Sequence, residues 1–184
     1  MIDWSTKKVV VLDRDGVINH DSDAYIKSRE EWIPIAGSLS AIATLNKTFK
    51  VAIATNQSGI GRGYYDAEIL TQMHQKMAQL LKEHDGHIDH IEFCPHHPED
   101  GCDCRKPQTT MLQRIATEFH TSPQEMVFVG DSKSDFECAQ NFGCDFVLVL
   151  TGKGLQTLDK LAGKDILIEK SLAKLTESIQ EKLS

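Results

Sequence analysis

Short apolar segments alternate with amphipathic segments along the chain. The apolar segments are rich in β-branched residues and predict strands at 7–13, 50–55, 88–93, 126–130 and 145–150, with a short edge strand at 166–168. Helical spacing of apolar residues predicts helices at 38–47, 66–84, 109–120, 135–142 and 172–183. Strands that alternate with helices in this way predict an α/β fold with a central parallel sheet flanked by helices.

The chain has 184 residues, and it contains no internal repeat, linker or low-complexity tract. We therefore expect one domain over residues 1–184. The net charge of −7 counts against sequence-independent binding to nucleic acids or anionic membranes, which requires clustered lysine and arginine. No apolar run approaches the roughly 20 residues of a membrane span, and the first residues lack a signal-peptide pattern. We expect a cytoplasmic monomer with no nucleic-acid or membrane partner.

Three of the predicted strands end in polar motifs. Asp13 ends the first strand, Thr55 and Asn56 end the second, and Asp131 follows the fourth. The carboxyl ends of parallel strands lie at one edge of the sheet, and ligands bind there. We therefore expect the three motifs to meet in one crevice.

Four aspartates near these strand ends predict a cation site. Asp13 and Asp15 are two residues apart and able to face the same side, while Asp131 and Asp135 follow the fourth strand. Like charges this close are unfavourable unless some are protonated or a cation lies among them. Oxygen ligands beside a phosphate suit Mg²⁺. Two simpler interpretations stay open: a turn that happens to carry two aspartates, and a helix-capping role for Asp135.

The segment 55–59 and Lys106 together predict a phosphate site. Hydroxyl, amide and backbone N–H groups cluster in this segment and are able to hold phosphate oxygens. Lys106 supplies the cation that a phosphoryl group requires as charge shifts in the transition state. Without Lys106, the segment is equally typical of an ordinary turn.

A cysteine-rich segment at 94–107 predicts a second metal site. Cys94, Cys102 and Cys104 with one histidine form a Cys₃His set, which is a common structural zinc combination. His96 and His97 both compete for the fourth position. The alternative is a group of buried free cysteines, since an odd total of five counts against a disulfide framework.

Four motifs resemble those of the haloacid dehalogenase (HAD) phosphatase superfamily, in the same order and spacing. They are DRDG at 13–16, TNQSG at 55–59, RKP at 105–107 and GDSKSD at 130–135. The resemblance implies a Rossmann-like HAD fold with a minimal cap. It also implies that Asp13 is the nucleophile, that Asp15 is the general acid and base, and that Thr55 and Lys106 bind the phosphoryl group.

The same resemblance implies both metal sites. Asp13, the backbone carbonyl of Asp15 and Asp131 would bind Mg²⁺. His96, rather than His97, would complete a structural Zn²⁺ site that shapes the loop before Lys106. Because Asp15 must carry a proton to act as an acid, we hypothesise that a nearby phosphate dianion raises its pKa.

Two groups of HAD phosphatases carry a zinc loop of this kind, one acting on a sugar bisphosphate and the other on histidinol phosphate. The run TNQSGIGRG at 55–63 and the segment 19–25 favour a sugar phosphate as substrate. Two rival interpretations are a zinc-stabilised binding module with an inactive phosphatase core and a phosphatase acting on nucleic-acid ends. For the sugar-phosphate enzyme, the expected substrate contacts are Asp21, Tyr25, Asn56, Gln57, Ser58 and Arg105.

Overall fold

The computed structural model describes residues 2–183, and the strands within this range form one six-stranded parallel sheet in the order β3-β2-β1-β4-β5-β6. The strands are β1 Val9–Leu12, β2 Lys50–Asn56, β3 His90–Cys94, β4 Met126–Gly130, β5 Asp145–Val149 and β6 Leu167–Glu169. The helices are α1 Ser38–Leu45, α2 Ser58–Gly61, α3 Ala67–Lys82, α4 Thr110–Glu118, α5 Lys133–Phe142, α6 Gly154–Lys160 and α7 Leu172–Leu183. Short 3₁₀ turns lie at Trp4–Thr6 and Pro123–Glu125.

Helices cover both faces of the sheet, which explains why its central strands are apolar throughout. In β1, Val10 and Leu12 join one buried cluster with residues of α1, α3 and α7. Val9 and Val11 point the other way and join a second cluster with residues of α4 and α5. All four β1 side chains are buried, as expected for a parallel strand with helices on both sides.

The structure confirms the predicted α/β sheet and each predicted strand, with ends shifted by up to two residues. The helix predicted from residue 135 begins two residues earlier, because Ser132 is its N-cap and accepts a hydrogen bond from the backbone of Asp135. The sequence did not predict α2 and α6, which have only four and seven residues and therefore show little apolar periodicity.

The strand order creates a crevice at the carboxyl end of β1. From β1 the chain passes to β2 and β3 on one side, and then to β4, β5 and β6 on the other. Loops that leave β1 and its neighbours diverge at such a switch point, and ligands bind in the space between them. Among the described residues, none of the helices combines the length and apolar character needed to cross a bilayer.

Candidate active site

Asp13 lies at the switch point, directly after β1, and is held there by two donors. Its Oδ1 accepts a hydrogen bond from the backbone of Arg14 at 2.7 Å and pairs with Nζ of Lys106 at 3.0 Å. The backbone N–H of Asp13 donates to the carbonyl of Val129 in β4 at 2.9 Å. Backbone and side chain together fix one orientation of the carboxylate.

Lys106 is the buried cation of the site. Its Nζ lies 2.7 Å from Oδ1 of Asp135 and donates to the carbonyl of Ala54 at 2.9 Å. Burial alone would lower the pKa of Lys106, but the carboxylates of Asp13 and Asp135 raise it above its usual range. The side chain therefore stays charged although it is only 3% exposed.

Asp131 approaches Asp13 from the end of β4, and glycines make room for it. A Cβ atom on Gly16 would lie 2.0 Å from Oδ2 of Asp131, and one on Gly152 would lie 2.2 Å from the same oxygen. Both glycines also have positive φ, at 85° and 56°. The backbone N–H of Lys153 donates to Oδ2 of Asp131 at 2.8 Å.

Carboxylate oxygens of Asp13, Asp131 and Asp135 lie within 4.8 Å of one another, so this cluster fits a cation. Burial and the charge of Asp135 raise the pKa of Asp13 well above its usual range, and the same two causes raise that of Asp131 to about 7. Asp135 already pairs with Lys106, and its other oxygen accepts from Ser132. Asp13 and Asp131 are therefore the two carboxylates whose ionised forms Mg²⁺ would stabilise.

Asp135 has two contacts in the structure, one with the start of α5 and one with Lys106. Ser132 is the N-cap of α5, and the Asp135 side chain completes the capping box by accepting from the Ser132 backbone at 3.0 Å. Its other oxygen holds the cation of Lys106. Asp135 therefore both stabilises the helix end and positions Lys106.

Asp15 lines the same cavity and has hydrogen-bond partners of its own. Nη2 of Arg14 lies 3.0 and 3.1 Å from its two oxygens, and Nδ2 of Asn19 donates to it at 2.9 Å. Burial alone would raise the pKa of Asp15, but the guanidinium of Arg14 and the hydrogen bonds lower it below its usual range. Without substrate, the Asp15 carboxyl group is therefore ionised.

The segment 55–59, which spans the end of β2 and the start of α2, connects Asp15 to Lys106. Nε2 of Gln57 donates to Oδ2 of Asp15 at 2.8 Å and to the hydroxyl oxygen of Thr55 at 2.9 Å. Oδ1 of Asn56 accepts from the backbone N–H of Lys106 at 3.0 Å. Thr55 is buried, and Ser58 begins α2. The segment therefore acts as a scaffold as well as a candidate phosphate site.

One cavity of about 280 Å³ is lined by all of the predicted catalytic, substrate-binding and magnesium-binding residues except Thr55. Thr55 contacts it through Gln57. Arg62 stacks over the cavity residue Tyr25, with 5.7 Å between its Cζ and the ring centroid. The predicted residues that line the cavity are Asp13, Asp15, Asp21, Tyr25, Asn56, Gln57, Ser58, Arg105, Lys106 and Asp131.

Sequence reasoning gave no site role to several polar residues of this cavity, among them Arg14, Tyr65 and Lys153. Nζ of Lys153 lies 3.3 Å from Oδ2 of Asp21, and it comes from the loop that follows β5. Its position just after a strand end was a usable signal, because the other motifs have the same placement. Arg14 lies within the motif that follows β1, but its role, like that of Tyr65, depends on contacts with Gln57.

The predicted Cys₃His set comes together in one cluster. The Sγ atom of Cys104 lies 3.0 Å from that of Cys94 and 3.8 Å from that of Cys102, and Nδ1 of His96 lies 3.2 Å from Sγ of Cys104. A tetrahedral zinc with Zn–S bonds of about 2.3 Å would place its sulfurs about 3.8 Å apart. His97 instead accepts a hydrogen bond from the backbone of Glu99. The four side chains therefore fit a closed zinc site.

The loop that carries this Cys₃His cluster is tied to the segment 57–61 by backbone hydrogen bonds. The N–H of Gln57 donates to the carbonyl of Cys94 at 2.7 Å, and that of Gly61 donates to Pro95 at 2.8 Å. A Cβ atom on Gly61 would lie 2.6 Å from the backbone nitrogen of His97. Because Lys106 is two residues beyond Cys104, a metal in this cluster would help to position it.

The parallel sheet, its switch-point carboxylates and the buried lysine define a HAD-like hydrolase. The family model described as HAD-hydrolase-like matches residues 103–175. A curated relative from Pseudomonas putida, D-glycero-beta-D-manno-heptose-1,7-bisphosphate 7-phosphatase, is 51% identical over 94% of this chain and 99% of its own. The protein of the same name from Pseudomonas aeruginosa is 47% identical over 95% and 98%. The chain therefore belongs to the family formed by these HAD phosphatases.

Solved structures agree with this assignment. D,D-heptose 1,7-bisphosphate phosphatase from B. bronchiseptica, complexed with magnesium and phosphate, has a TM-score of 0.92 and 42% identity. The comparison covers 95% of this chain and 99% of that one. The same enzyme from Burkholderia thailandensis has a TM-score of 0.74 and 37% identity over 95% and 99%. This is the sugar-bisphosphate group that the motifs favoured over the histidinol-phosphatases.

Proposed function

We propose that this protein is a Mg²⁺-dependent phosphomonoester hydrolase that removes the 7-phosphate of D-glycero-β-D-manno-heptose 1,7-bisphosphate. The observation that carries the proposal is the placement of Asp13. It lies at the switch point beside the buried cation of Lys106, in the same cavity as a second carboxylate, Asp15. Its relatives are named for this reaction.

In the first step, a carboxylate oxygen of Asp13 attacks phosphorus. The bond between phosphorus and the sugar oxygen breaks, and Asp15 donates a proton to that oxygen as the alcohol leaves. Lys106 stabilises the charge on the phosphoryl oxygens, aided by Thr55 and the backbone of the segment after β2. The product of this step is an aspartyl-phosphate on Asp13.

In the second step, Asp15 acts as a base. It takes a proton from a water molecule, whose oxygen attacks phosphorus and releases the carboxylate of Asp13. The contacts from Arg14 and Asn19 favour the ionised form of Asp15 that this step requires. The first step requires the protonated form, and the phosphate dianion of the substrate would raise the pKa of Asp15.

Asp13, the backbone carbonyl of Asp15 and Asp131 would hold Mg²⁺. When bound, this cation offsets the negative charge of the phosphoryl group and of the two carboxylates. Cys94, His96, Cys102 and Cys104 would hold Zn²⁺, whose contribution is to stabilise the loop that carries Lys106.

The cavity provides a second set of cations for a substrate with two phosphates. Lys106 is committed to the reacting centre, whereas Arg105 and Lys153 also line the cavity. Nη1 of Arg105 is buried without a hydrogen-bond partner among residues 2–183. We assign these two side chains to the distal phosphate, and Asp21 and Tyr25 to the sugar.

We also propose that the chain works as a monomeric single domain in the cytoplasm. The five cysteines are free thiols, which fits a reducing compartment. Light scattering coupled to size-exclusion chromatography tests the monomer.

A phosphate-release panel tests the proposed reaction. The substrates are heptose 1,7-bisphosphate, histidinol phosphate, fructose 1,6-bisphosphate and a 3′-phosphorylated oligonucleotide, each with Mg²⁺ and with chelator. We expect the heptose bisphosphate to give the highest kcat/KM and ³¹P NMR to show loss of the 7-phosphate. Asp13→Asn should abolish release, whereas Asp159→Asn, an exposed aspartate of α6, serves as the matched control.

Other outcomes of the panel would contradict specific parts of the proposal. Preference for histidinol phosphate or for the oligonucleotide would overturn the substrate assignment. Absence of Mg²⁺-dependent release from all four substrates would favour an inactive, zinc-stabilised binding module.

A further inference from the structure

Arg14, the residue between the two reactive aspartates, points into the protein interior. Its side chain is fully buried. Nη2 donates to both carboxylate oxygens of Asp15 and also to Oε1 of Gln57 at 3.1 Å. Burying an unpaired charge is costly, so the partners of this guanidinium decide how it is held. Its Nε has none among residues 2–183.

Helix α3 supplies partners for the far side of this guanidinium. Nη1 of Arg14 lies 3.4 Å from Nε2 of His74 and 3.7 Å from Sδ of Met73. Because a guanidinium only donates, Nε2 of His74 must accept, so the ring is neutral with its proton on Nδ1. Burial and the charge of Arg14 lower the pKa of His74 to about 4, which is consistent with a neutral ring.

A second contact comes from the residue before the N-cap of α3. The hydroxyl of Tyr65 donates to Oε1 of Gln57 at 2.5 Å. Oε1 thus accepts from Tyr65 and Arg14, while Nε2 donates to Asp15 and Thr55. Oε1 of Gln57 therefore accepts two hydrogen bonds and both of its amide protons are donated within the protein, so its amide is better suited to positioning than to binding substrate.

We propose that His74 and Tyr65 are positioning residues that hold the carboxylate of Asp15, through Arg14 and Gln57, in its reactive orientation. The inference rests on the proposed function, since it assigns these residues to the acid and base of that reaction. Neither residue needs to touch the reacting atoms. Displacement of an acid by about 1 Å lowers turnover by roughly 10²-fold, so loss of either contact should appear in kcat.

A double-mutant cycle tests this inference with the full chain and heptose bisphosphate. His74→Leu removes the acceptor, His74→Gln places an amide oxygen near the Nε2 position, and Met77→Leu is the packing control on the same face of α3. Each is measured alone and combined with Asp15→Asn by single-turnover kinetics. We expect His74→Leu to lower kcat by roughly 10- to 100-fold with KM nearly unchanged, and His74→Gln to recover most of the loss.

The Asp15→Asn background separates positioning from a general structural defect. If His74 acts through Asp15, His74→Leu does not lower the rate further in the Asp15→Asn protein. The same fold-decrease in the rate with and without Asp15→Asn overturns the inference. If His74→Leu fails to fold, Tyr65→Phe in the same two backgrounds gives the same decision. If the wild-type protein is active and the two substitutions lower kcat independently of each other, only this inference is contradicted. If the wild-type protein does not hydrolyse heptose bisphosphate, the proposed function is contradicted and this inference with it.

Discussion

The ammonium group of Lys106 lies 3.0 Å from Oδ1 of Asp13, although each would be costly to bury alone. The same ammonium group satisfies Asp135, which is fully buried. One lysine therefore supports both the nucleophile and the helix that follows β4. This shared role makes its loss affect activity and stability in separable ways.

Lys106→Met should lower kcat/KM by roughly 10²- to 10³-fold, because the cation that stabilises the phosphoryl oxygens is lost. It should also lower the free energy of unfolding by about 3 kcal/mol, because Asp135 is left buried without its partner. Urea unfolding and steady-state kinetics measure the two effects. Adding Asp135→Asn should restore part of the stability but not the activity; recovery of both would contradict the role of Lys106 in catalysis. Lys133→Met, on the exposed side of α5, is the control.

Magnesium should stabilise the protein more at pH 8 than at pH 5. The pKa of Asp131 is raised to about 7 in the metal-free fold, so the folded state binds more protons than the unfolded state between about pH 4 and pH 7. Metal-free stability therefore falls as pH rises through this window, and Mg²⁺ competes with the protons for the same oxygens. Thermal unfolding with and without Mg²⁺ at both pH values measures the difference. An equal Mg²⁺ effect at both pH values, or an undiminished one in Asp131→Asn, would contradict this site.

Cys104→Ser should lose the bound zinc, and both the stability and the turnover of the protein should fall. Metal analysis of protein purified without chelator should find about one zinc per chain, because the four ligands form a closed site. The variant should have a lower Tm and a lower kcat, since Arg105 and Lys106 follow Cys104 directly. Cys144→Ser, outside the cluster, should retain zinc and activity. Absence of zinc from the wild-type protein would remove the structural-zinc assignment.

Lys153→Ala should weaken binding of the distal phosphate and leave the rate of the chemical step unchanged. We expect KM for heptose 1,7-bisphosphate to rise about tenfold, because one charge-assisted contact in a half-exposed position is lost. Turnover of heptose 7-phosphate, which lacks the distal group, should be nearly unchanged. Lys160→Ala, an exposed lysine of α6, is the control. Equal losses with both substrates would place Lys153 at the reacting phosphate instead.

The sequence predicted the parts of the site that follow directly from strand ends. Asp13, Asn56 and Asp131 each come at or just after an apolar strand, so their convergence followed from the parallel sheet alone. The Cys₃His set was predictable because its ligands are close in the chain.

Contacts between distant segments could not be predicted in the same way. The engagement of Gln57 depends on Tyr65 and on Arg14, and the neutral state of His74 depends on how α3 packs. The double role of Asp135 was also hidden, because a capping aspartate and a partner for Lys106 have the same sequence pattern.

Chemical trapping of the intermediate tests the central claim, which is that Asp13 carries the phosphoryl group. The wild-type protein is mixed with Mg²⁺ and heptose 1,7-bisphosphate, quenched during the first turnover and reduced with borohydride. An aspartyl-phosphate is converted by this treatment to homoserine, and peptide mass spectrometry locates it. We predict homoserine at position 13, dependent on substrate and Mg²⁺. Reduction at another aspartate, or no reduction in samples quenched while the protein releases phosphate, would contradict the mechanism.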